Sequence, residues 1–337
     1  MAPSENLKSI VIVGGGTAGW LTAGIIAAEH NANGSESDGL IDIKVTLIES
    51  PDISTIGVGE GTWPSMRSTL QKMGVSETDL IRDCDASFKQ GTLFKSWKTG
   101  GNDAYTHPFT PPHSYASTNL APQWQKLSSE VSFAEAVSSQ NALMFKGLAP
   151  KQISTPEYAF HTNYGYHLDA GKFAELLRKH CVEKLGVTHL KANVVSVKST
   201  ADGDIASLKT DSHGDISGDL FVDCSGSRAL LLGEHFGVPF CSKGQFLFND
   251  TALASQIPYV NDDDPIASST LSTAQTAGWI WDIGLPTRRG IGHVYSSGHT
   301  TEDHAAQELL AYITATVSPE AAASASIRKV PFSPGHR

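Results

Sequence analysis

Two places in this sequence combine residue types and spacing that could do chemistry. The first is Gly14, Gly16 and Gly19, a G-x-G-x-x-G run between the apolar stretch "SIVIV" and an apolar helical pattern entered through Thr17 and Ala18. There the first glycine permits a tight turn and the second lets backbone N–H groups approach a pyrophosphate. The third lets helix and strand pack closely. Glu49 ends a second β-branched stretch, "IKVTLIES", where a carboxylate would accept hydrogen bonds from a ribose. The polar segment at 31–39 accounts for its longer than usual distance from the glycines. The second place is Lys89 in "CDASFKQGTLFKSW". Most lysines are solvated, yet this one follows Phe88 directly and opens what reads as a strand. Taken alone, it is better explained as a lysine snorkelling from a strand edge than as a reactive amine.

These residues need elements to hold them. "SIVIV" has the continuous β-branched pattern of a buried parallel strand, so residues 8–50 predict one βαβ unit with a right-handed crossover. "RSTLQKMGVSETDLIRDC" reads as two helical segments, and residues 100–156 as irregular loops with some helix near "FAEAVSSQNALM". Phe173, Leu176, Leu177, Cys181 and Leu185 make one helical stripe that Gly186 stops. "ANVVSVKS" and "DIASLKT" predict a hairpin. "DLFVDCSGSRALLL" predicts a strand, a tight glycine turn and a helix start, residues 240–297 read as strands, and "TEDHAAQELLAYITATV" is a helix. A late strand ending in Asp-x-Ser-Gly can complete a crevice beside the first glycine turn. That split layout suits FAD better than NAD alone, for which further βα units should follow at once.

The size and composition set outer bounds. A chain of 337 residues, 40% hydrophobic, is enough for one large α/β domain or two closely joined ones. A net charge of −10 without a basic patch argues against a nucleic-acid partner. "MAPSENLKSI" lacks the marks of a signal peptide and "AGWLTAGIIAA" is too short to span a bilayer, so a cytoplasmic protein with no membrane contact is expected. Cys84, Cys181, Cys224 and Cys241 are scattered and read as reduced thiols. His107, His113, His161 and His167 match no metal-ligand spacing, so no metal is expected.

Six blocks, "IVIVGGGTAGW", "TIGVGEGTWPS", "ASFKQGTLFKSW", "GYHLDAGKFAELLRKH", "DLFVDCSGSRALLL" and "GWIWDIGLPTRRGIGHVYSS", follow one another from residue 10 to about 300. Together they resemble the flavin-dependent tryptophan halogenase family. The resemblance implies a hydroxylase-like, Rossmann-like FAD fold. It implies FAD supplied reduced by a separate NAD(P)H-dependent flavin reductase, with O₂ and chloride or bromide converted to hypohalous acid. That acid travels through an internal tunnel to an electron-rich aromatic substrate, tryptophan or indole-like. The family's lysine at the far end of the tunnel matches Lys89, which would hydrogen-bond the hypohalous acid or form a chloramine. An amine can donate a proton or accept halogen, and burial lowers its pKa.

In the same resemblance "GVGEGT", Gly57 to Thr62, matches the strap over the flavin, whose glycines allow close approach and movement. The expected cofactor set is then Gly14, Gly16, Thr17, Ala18, Gly19, Glu49, Gly57, Val58, Gly59, Glu60, Val194, Asp223 and Gly226. Trp279 and Trp281 alternate on a strand and share a face; they either wall the flavin off from substrate or are ordinary core aromatics.

The expected organisation is an FAD-binding βαβ core with its strap at 1–100 and an irregular substrate-side insertion at 101–160. A return to the FAD domain covers 161–240, a β-rich substrate region 241–300, and the start of a helical region 301–337. Two departures from the family stand out. "WIWDIGLP" carries Gly284 and Leu285 before the proline, as in variants whose substrates need not be free tryptophan. From Gly298 to Arg337 nothing matches the S-x-G-x-x-E-P-L-E block with its catalytic glutamate, so the chain reads as the N-terminal two thirds of such an enzyme. The rival readings are a hydroxylating flavin monooxygenase and an inactive flavoprotein fragment. Assembly stays open, a homodimer included.

Overall fold

The computed structural model describes residues 7–31, 43–53, 57 and 59–337; Val58 and most of the 31–39 segment lie outside them. The chain opens with β1 (Ser9–Val13), α1 (Thr17–Asn31) and β2 (Lys44–Glu49), the expected βαβ unit, its strands parallel with Ile12 beside Leu47. Ile10 and Ile12 point into one core, Val11 and Val13 into another. Both faces of β1 are therefore covered, which explains its unbroken apolar run.

β3 (Glu60–Gly61), α2 (Ser65–Met73), α3 (Glu77–Asp83) and β4 (Ser87–Lys89) follow. The two helices are those expected, parted by Gly74 in the left-handed region. Lys89 does not open a strand; it closes β4, and the chain changes sheet at the next residue before β5 (Gly91–Lys95). Gln90 makes the corner. It is wholly buried, its N–H donates to the Ser268 carbonyl at 2.6 Å, and its side chain donates to the Leu148 carbonyl at 2.7 Å. β6 (Ala104–Pro108) pairs with β5 in a stretch whose sequence shows no strand pattern; its pairing rather than its propensity makes it one. The short helices α4 (Ala121–Gln125), α5 (Phe133–Val137) and α6 (Gln140–Phe145) complete the insertion.

β7 (Gly165–Leu168) leads into α7 (Ala170–Leu185), capped by Asp169 and ended by Gly186 at φ 69°. Phe173, Leu177 and Cys181 of its stripe are buried with Trp20, Ala23 and Ala27 of α1. β8 (Thr188–Lys191), β9 (Val194–Ser199), β10 (Ile205–Thr210), β11 (Asp215–Ser217) and β12 (Leu220–Asp223) come next. β9 and β10 form the predicted hairpin. β12 returns to pair in parallel with β1, giving the sheet order β12-β1-β2-β8. Helices α1 and α7 cover one face of this sheet and the β9–β11 sheet covers the other.

After β13 (Cys241–Ser242), the strands β14 (Thr251–Pro258), β15 (Thr270–Gln275), β16 (Gly278–Gly284) and β17 (Arg288–Tyr295) build a second sheet. α8 (Glu302–Thr316) buries Ala305, Leu309 and Ile313 against Leu253, Ile257, Ile280 and Ile291 on one of its faces. The closing residues, expected as the start of a helical region, add α9 (Pro319–Ala323) but then two strands, β18 (Arg328–Pro331) and β19 (Gly335–His336), because pairing with β14 and β13 is available there. The sheet order is β18-β14-β17-β16-β15-β5-β6, so β5 and β6 reach it from the far side of the Gln90 corner. A Rossmann-like parallel core joined to a large, mainly antiparallel sheet is the fold class expected.

Candidate active site

The parallel sheet places the two glycine turns side by side. A cavity of about 380 Å³ opens there, within the usual size range of ligand sites. It is lined by Gly14, Gly15, Gly16, Glu49, Val194 and the 224–228 turn, among others. Gly14 has φ +118°, and a Cβ on it would stand 2.1 Å from the Cys224 carbonyl oxygen. A Cβ on Gly19 would stand 1.8 Å from the Gly14 carbonyl oxygen, so these two glycines are steric necessities of the turn. Gly16 differs: a Cβ there meets nothing within 4 Å of protein and points into open space. A cradle bare of side chain at the N-terminus of α1 fits a pyrophosphate. FAD suits the residues present, and when bound it would supply the redox chemistry.

Of the expected cofactor set, Gly14, Gly16, Glu49, Val194 and Gly226 line the cavity. Thr17, Ala18 and Gly19 lie just behind it, at the start of α1. Asp223 does not face the cavity. Its Oδ2 accepts from the N–H groups of Leu231 and Leu232 at 2.8 and 2.9 Å, and its Oδ1 accepts from Ser225. Burial pushes this carboxyl up, yet the hydrogen bonds from Ser225 and the 231–232 backbone outweigh it and hold the pKa down. Asp223 therefore shapes the second glycine turn. Ser225, the serine of the Asp-x-Ser-Gly strand end, lines the cavity too, and Asn193 and Cys224 do so without a signal in the sequence beyond their neighbours.

The strap and Lys89 meet on a three-stranded sheet, β3-β7-β4. Lys89 pairs with Gly165 and Glu60 with Leu168, so β7 holds both. This small sheet sits on the tryptophan face of the large one. His167 of β7 meets the Thr270 hydroxyl at 2.9 Å, and Ser87 donates to the Gly284 carbonyl at 2.6 Å. A Cβ on Gly57 would press on Ala170, and one on Gly59 would approach Gly290 and Ile283. Beneath the strap Arg288 donates to Asp169 at 2.6 Å, while its buried Nη1 has no hydrogen-bond partner.

Lys89 is half-buried. Its ammonium lies 5.5 Å from the Phe109 ring centre and 6.0 Å from that of Trp63. A Cβ on Gly61 would stand only 2.9 Å from Nζ, so a glycine at the strap's end is what admits the lysine. No ion pair or hydrogen bond engages Nζ among the described residues, and burial lowers its pKa. His167, wholly buried, is held neutral, its pKa pushed down to about 3 by burial and then by the Lys89 charge. The aromatic neighbours Trp63 and Phe109 were not singled out by the sequence; the one signal was their position inside blocks of glycine and proline.

Trp279 and Trp281 do share a face, 6.4 Å apart, and Trp281 lies over Gly292 where any Cβ would meet its ring at 2.1 Å. Trp97 joins Trp279 at 6.2 Å, and Phe94 stacks on Tyr105 at 5.0 Å. The pair is thus part of an aromatic surface on the strap side of the sheet. His107, His113 and His161 are exposed, and among the described residues no group of three or more His, Cys, Asp or Glu is arranged to hold a metal. No helix among them is long and apolar enough to cross a membrane.

Lys95, the second lysine of the block that carries Lys89, is half-buried. It lines a separate cavity with Asp282, Arg289 and Tyr312 on the α8 face, because the strand that carries it is an inner one.

Comparison with known proteins agrees with this architecture. The family model for tryptophan halogenase matches residues 9–337. Tryptophan 7-halogenase RebH of Lentzea aerocolonigenes is 34% identical over 322 residues, 90% of this chain and 58% of its own length. Tryptophan 6-halogenase ThaL of Streptomyces albogriseolus is also 34% identical, over 89% of this chain and 58% of its own. The crystal structure of a tryptophan halogenase from Shewanella frigidimarina superposes with a TM-score of 0.93 at 53% identity, over 99% of this chain and 64% of that one. The chain thus spans less than two thirds of the length of these relatives. It belongs to the tryptophan halogenase family.

Proposed function

We propose that this chain carries the cofactor site and the halogen-directing lysine of an FAD-dependent halogenase acting on an electron-rich aromatic ring, tryptophan or indole-like. The cavity at Gly16 would hold the dinucleotide, with Glu49 and the 224–228 turn around it and the 57–62 strap over it. A separate NAD(P)H-dependent reductase would supply the flavin reduced. With O₂ and chloride or bromide, the bound cofactor would yield hypohalous acid.

Lys89 is the observation that carries this reading. A half-buried amine with no counter-ion among the described residues, its pKa lowered by burial, gives up its proton more readily than a solvated lysine. As the ammonium it can donate a hydrogen bond to the oxygen of the hypohalous acid and polarise the O–halogen bond. As the neutral amine it can take the halogen, forming N–X and releasing water. The ring then takes X and loses a proton, and the amine is restored. Phe109 and Trp63 offer apolar faces beside Nζ, suited to a flat aromatic substrate. Trp279 and Trp281 are read as part of the wall between flavin and substrate, and the five expected segments as its working parts.

The test supplies the chain with FAD, a flavin reductase, NADH, O₂, bromide and indole or tryptophan, and follows products by mass spectrometry. Brominated product, lost in Lys89→Ala, is expected. A hydroxylated product, or bromination equal in both proteins, would refute the assignment. Flavin bound without any product would favour an inactive fragment.

A further inference from the structure

Glu49 is held from two sides. On one side lies Gly15, where any Cβ would stand 2.3 Å from the Glu49 side chain, so the carboxylate arm lies across bare backbone. On the other side is His189 of β8, whose Nε2 meets Glu49 Oε2 at 2.7 Å. The histidine is itself well fixed. Its side chain is 10% exposed, and its ring stands edge-on to the buried Trp20 at 4.9 Å. Glu49 Oε1 has no protein partner among the described residues, and Glu49 lines the cavity while His189 does not. One carboxylate oxygen is thus committed and the other is left for a ligand.

We infer that His189 is a positioning residue for nucleotide recognition: by tying Glu49 Oε2 above the Gly15 platform, it presents Oε1 to the ribose hydroxyls of the cofactor. This rests on the flavin reading of the cavity. A free glutamate at a strand end samples several rotamers, and each hydrogen bond it makes to a ligand must first pay their entropy. The His189 bond removes that cost in advance and, being charge-assisted, is among the stronger kind.

His189 also makes the bond sensitive to acid. Burial lowers its pKa below the ordinary 6.5, against the opposing pull of Glu49. Arg178, Lys191, Glu49 and Glu175 are the charged groups around it. Above that pKa a neutral imidazole donates to a full carboxylate. Below it an imidazolium neutralises the carboxylate that the ribose needs.

The experiment measures FAD and ADP binding to the native chain, His189→Phe and His189→Gln by calorimetry, with the unfolding midpoint of each apo protein as a control on the fold. His189→Phe is expected to weaken FAD and ADP alike by roughly tenfold, the scale of one charge-assisted hydrogen bond. His189→Gln, which keeps a donor, should recover most of that loss. Native FAD affinity should fall on acidification through the lowered His189 pKa while that of His189→Gln stays flat. Unchanged affinity in His189→Phe, equal losses in both variants, or a loss for FAD without one for ADP would overturn the inference and leave the cofactor site standing. A native chain that binds neither ligand would overturn the cavity reading and this inference with it.

Discussion

The cleft proposed for the dinucleotide and the Lys89 corner lie in one chain but are assembled over very different sequence distances. At the cleft, most of the geometry is local: Gly14, Gly16 and Gly19 fall within one turn and the first part of one helix, Gly14 and Gly19 because a Cβ would strike backbone and Gly16 facing open space. At the corner, Lys89 depends on Gly61, Trp63, Phe109 and Gly165, and on a sheet switch at Gln90 that is held by Leu148 and Ser268. Backbone sterics impose a pattern that survives in a short motif. Side-chain environment arises only when distant segments meet, so it leaves one lysine with little to mark it.

Substitutions can break this comparison, and the largest effect falls at the corner. Lys89→Ala is expected to lower halogenated product by roughly a thousandfold, the scale of a lost catalytic donor. Flavin affinity should change less than about twofold. A matching fall in flavin affinity would mean that corner and cleft are not separable.

At the cleft, two glycines of one motif should fail differently. Gly14→Ala meets backbone at positive φ and should destabilise the fold by about 3 kcal/mol or more, read as a drop in urea midpoint. Gly16→Ala should leave that midpoint in place and weaken FAD about tenfold, because its methyl enters only the space meant for ligand. Equal unfolding losses in both would contradict the cradle.

The wall behind Lys89 offers a comparable effect on stability. Glu77 is buried and accepts from Tyr164, from Tyr166 at 2.7 Å, from the Tyr158 N–H at 2.7 Å and from Lys151 at 2.8 Å. Tyr164 and Tyr166 flank Gly165, the register partner of Lys89. Glu77→Gln leaves the buried Lys151 ammonium without its counter-ion and should cost about 3 kcal/mol in urea unfolding. A loss under about 1 kcal/mol would show the network to be dispensable.

The smallest effect separates the two regions by pH. His167, His189 and His293 all have pKa values lowered by burial. The unfolded chain, with its histidines near 6.5, binds more protons than the native one below that pH. Stability is therefore full above about pH 6.5 and declines on acidification, by at most ~1.4 kcal/mol per pH unit for each histidine. Because the Lys89 charge helps depress His167, Lys89→Ala should flatten part of that decline. An unfolding midpoint constant from pH 7.5 to 5 would argue against buried neutral histidines.

The βαβ unit, helices α2, α3, α7 and α8, and the β9–β10 hairpin were legible because period, capping residues and turn residues act within a few positions. β6 was not, since its residues carry no strand pattern and only pairing with the neighbouring β5 makes it one, and β18 was not, since it exists by pairing to β14, far away in sequence. Among the residues proposed for the cofactor, Gly14, Gly16, Glu49, Val194 and Gly226 line one cavity. Asp223 shapes a turn instead, and His189 gave no signal at all because the carboxylate it holds is 140 residues away.

The sequence by itself determined the parallel core, the two glycine turns and the presence of one lysine among aromatic and glycine-rich blocks. These follow from backbone sterics and hydrophobic periodicity, which are local. Only the tertiary structure decided that Lys89 ends its strand at a sheet switch, that its amine stands beside Trp63 and Phe109 without a counter-ion among the described residues, and that one oxygen of Glu49 is already taken. Burial and hydrogen-bond partnership belong to the folded chain, where distant residues share one low-dielectric space.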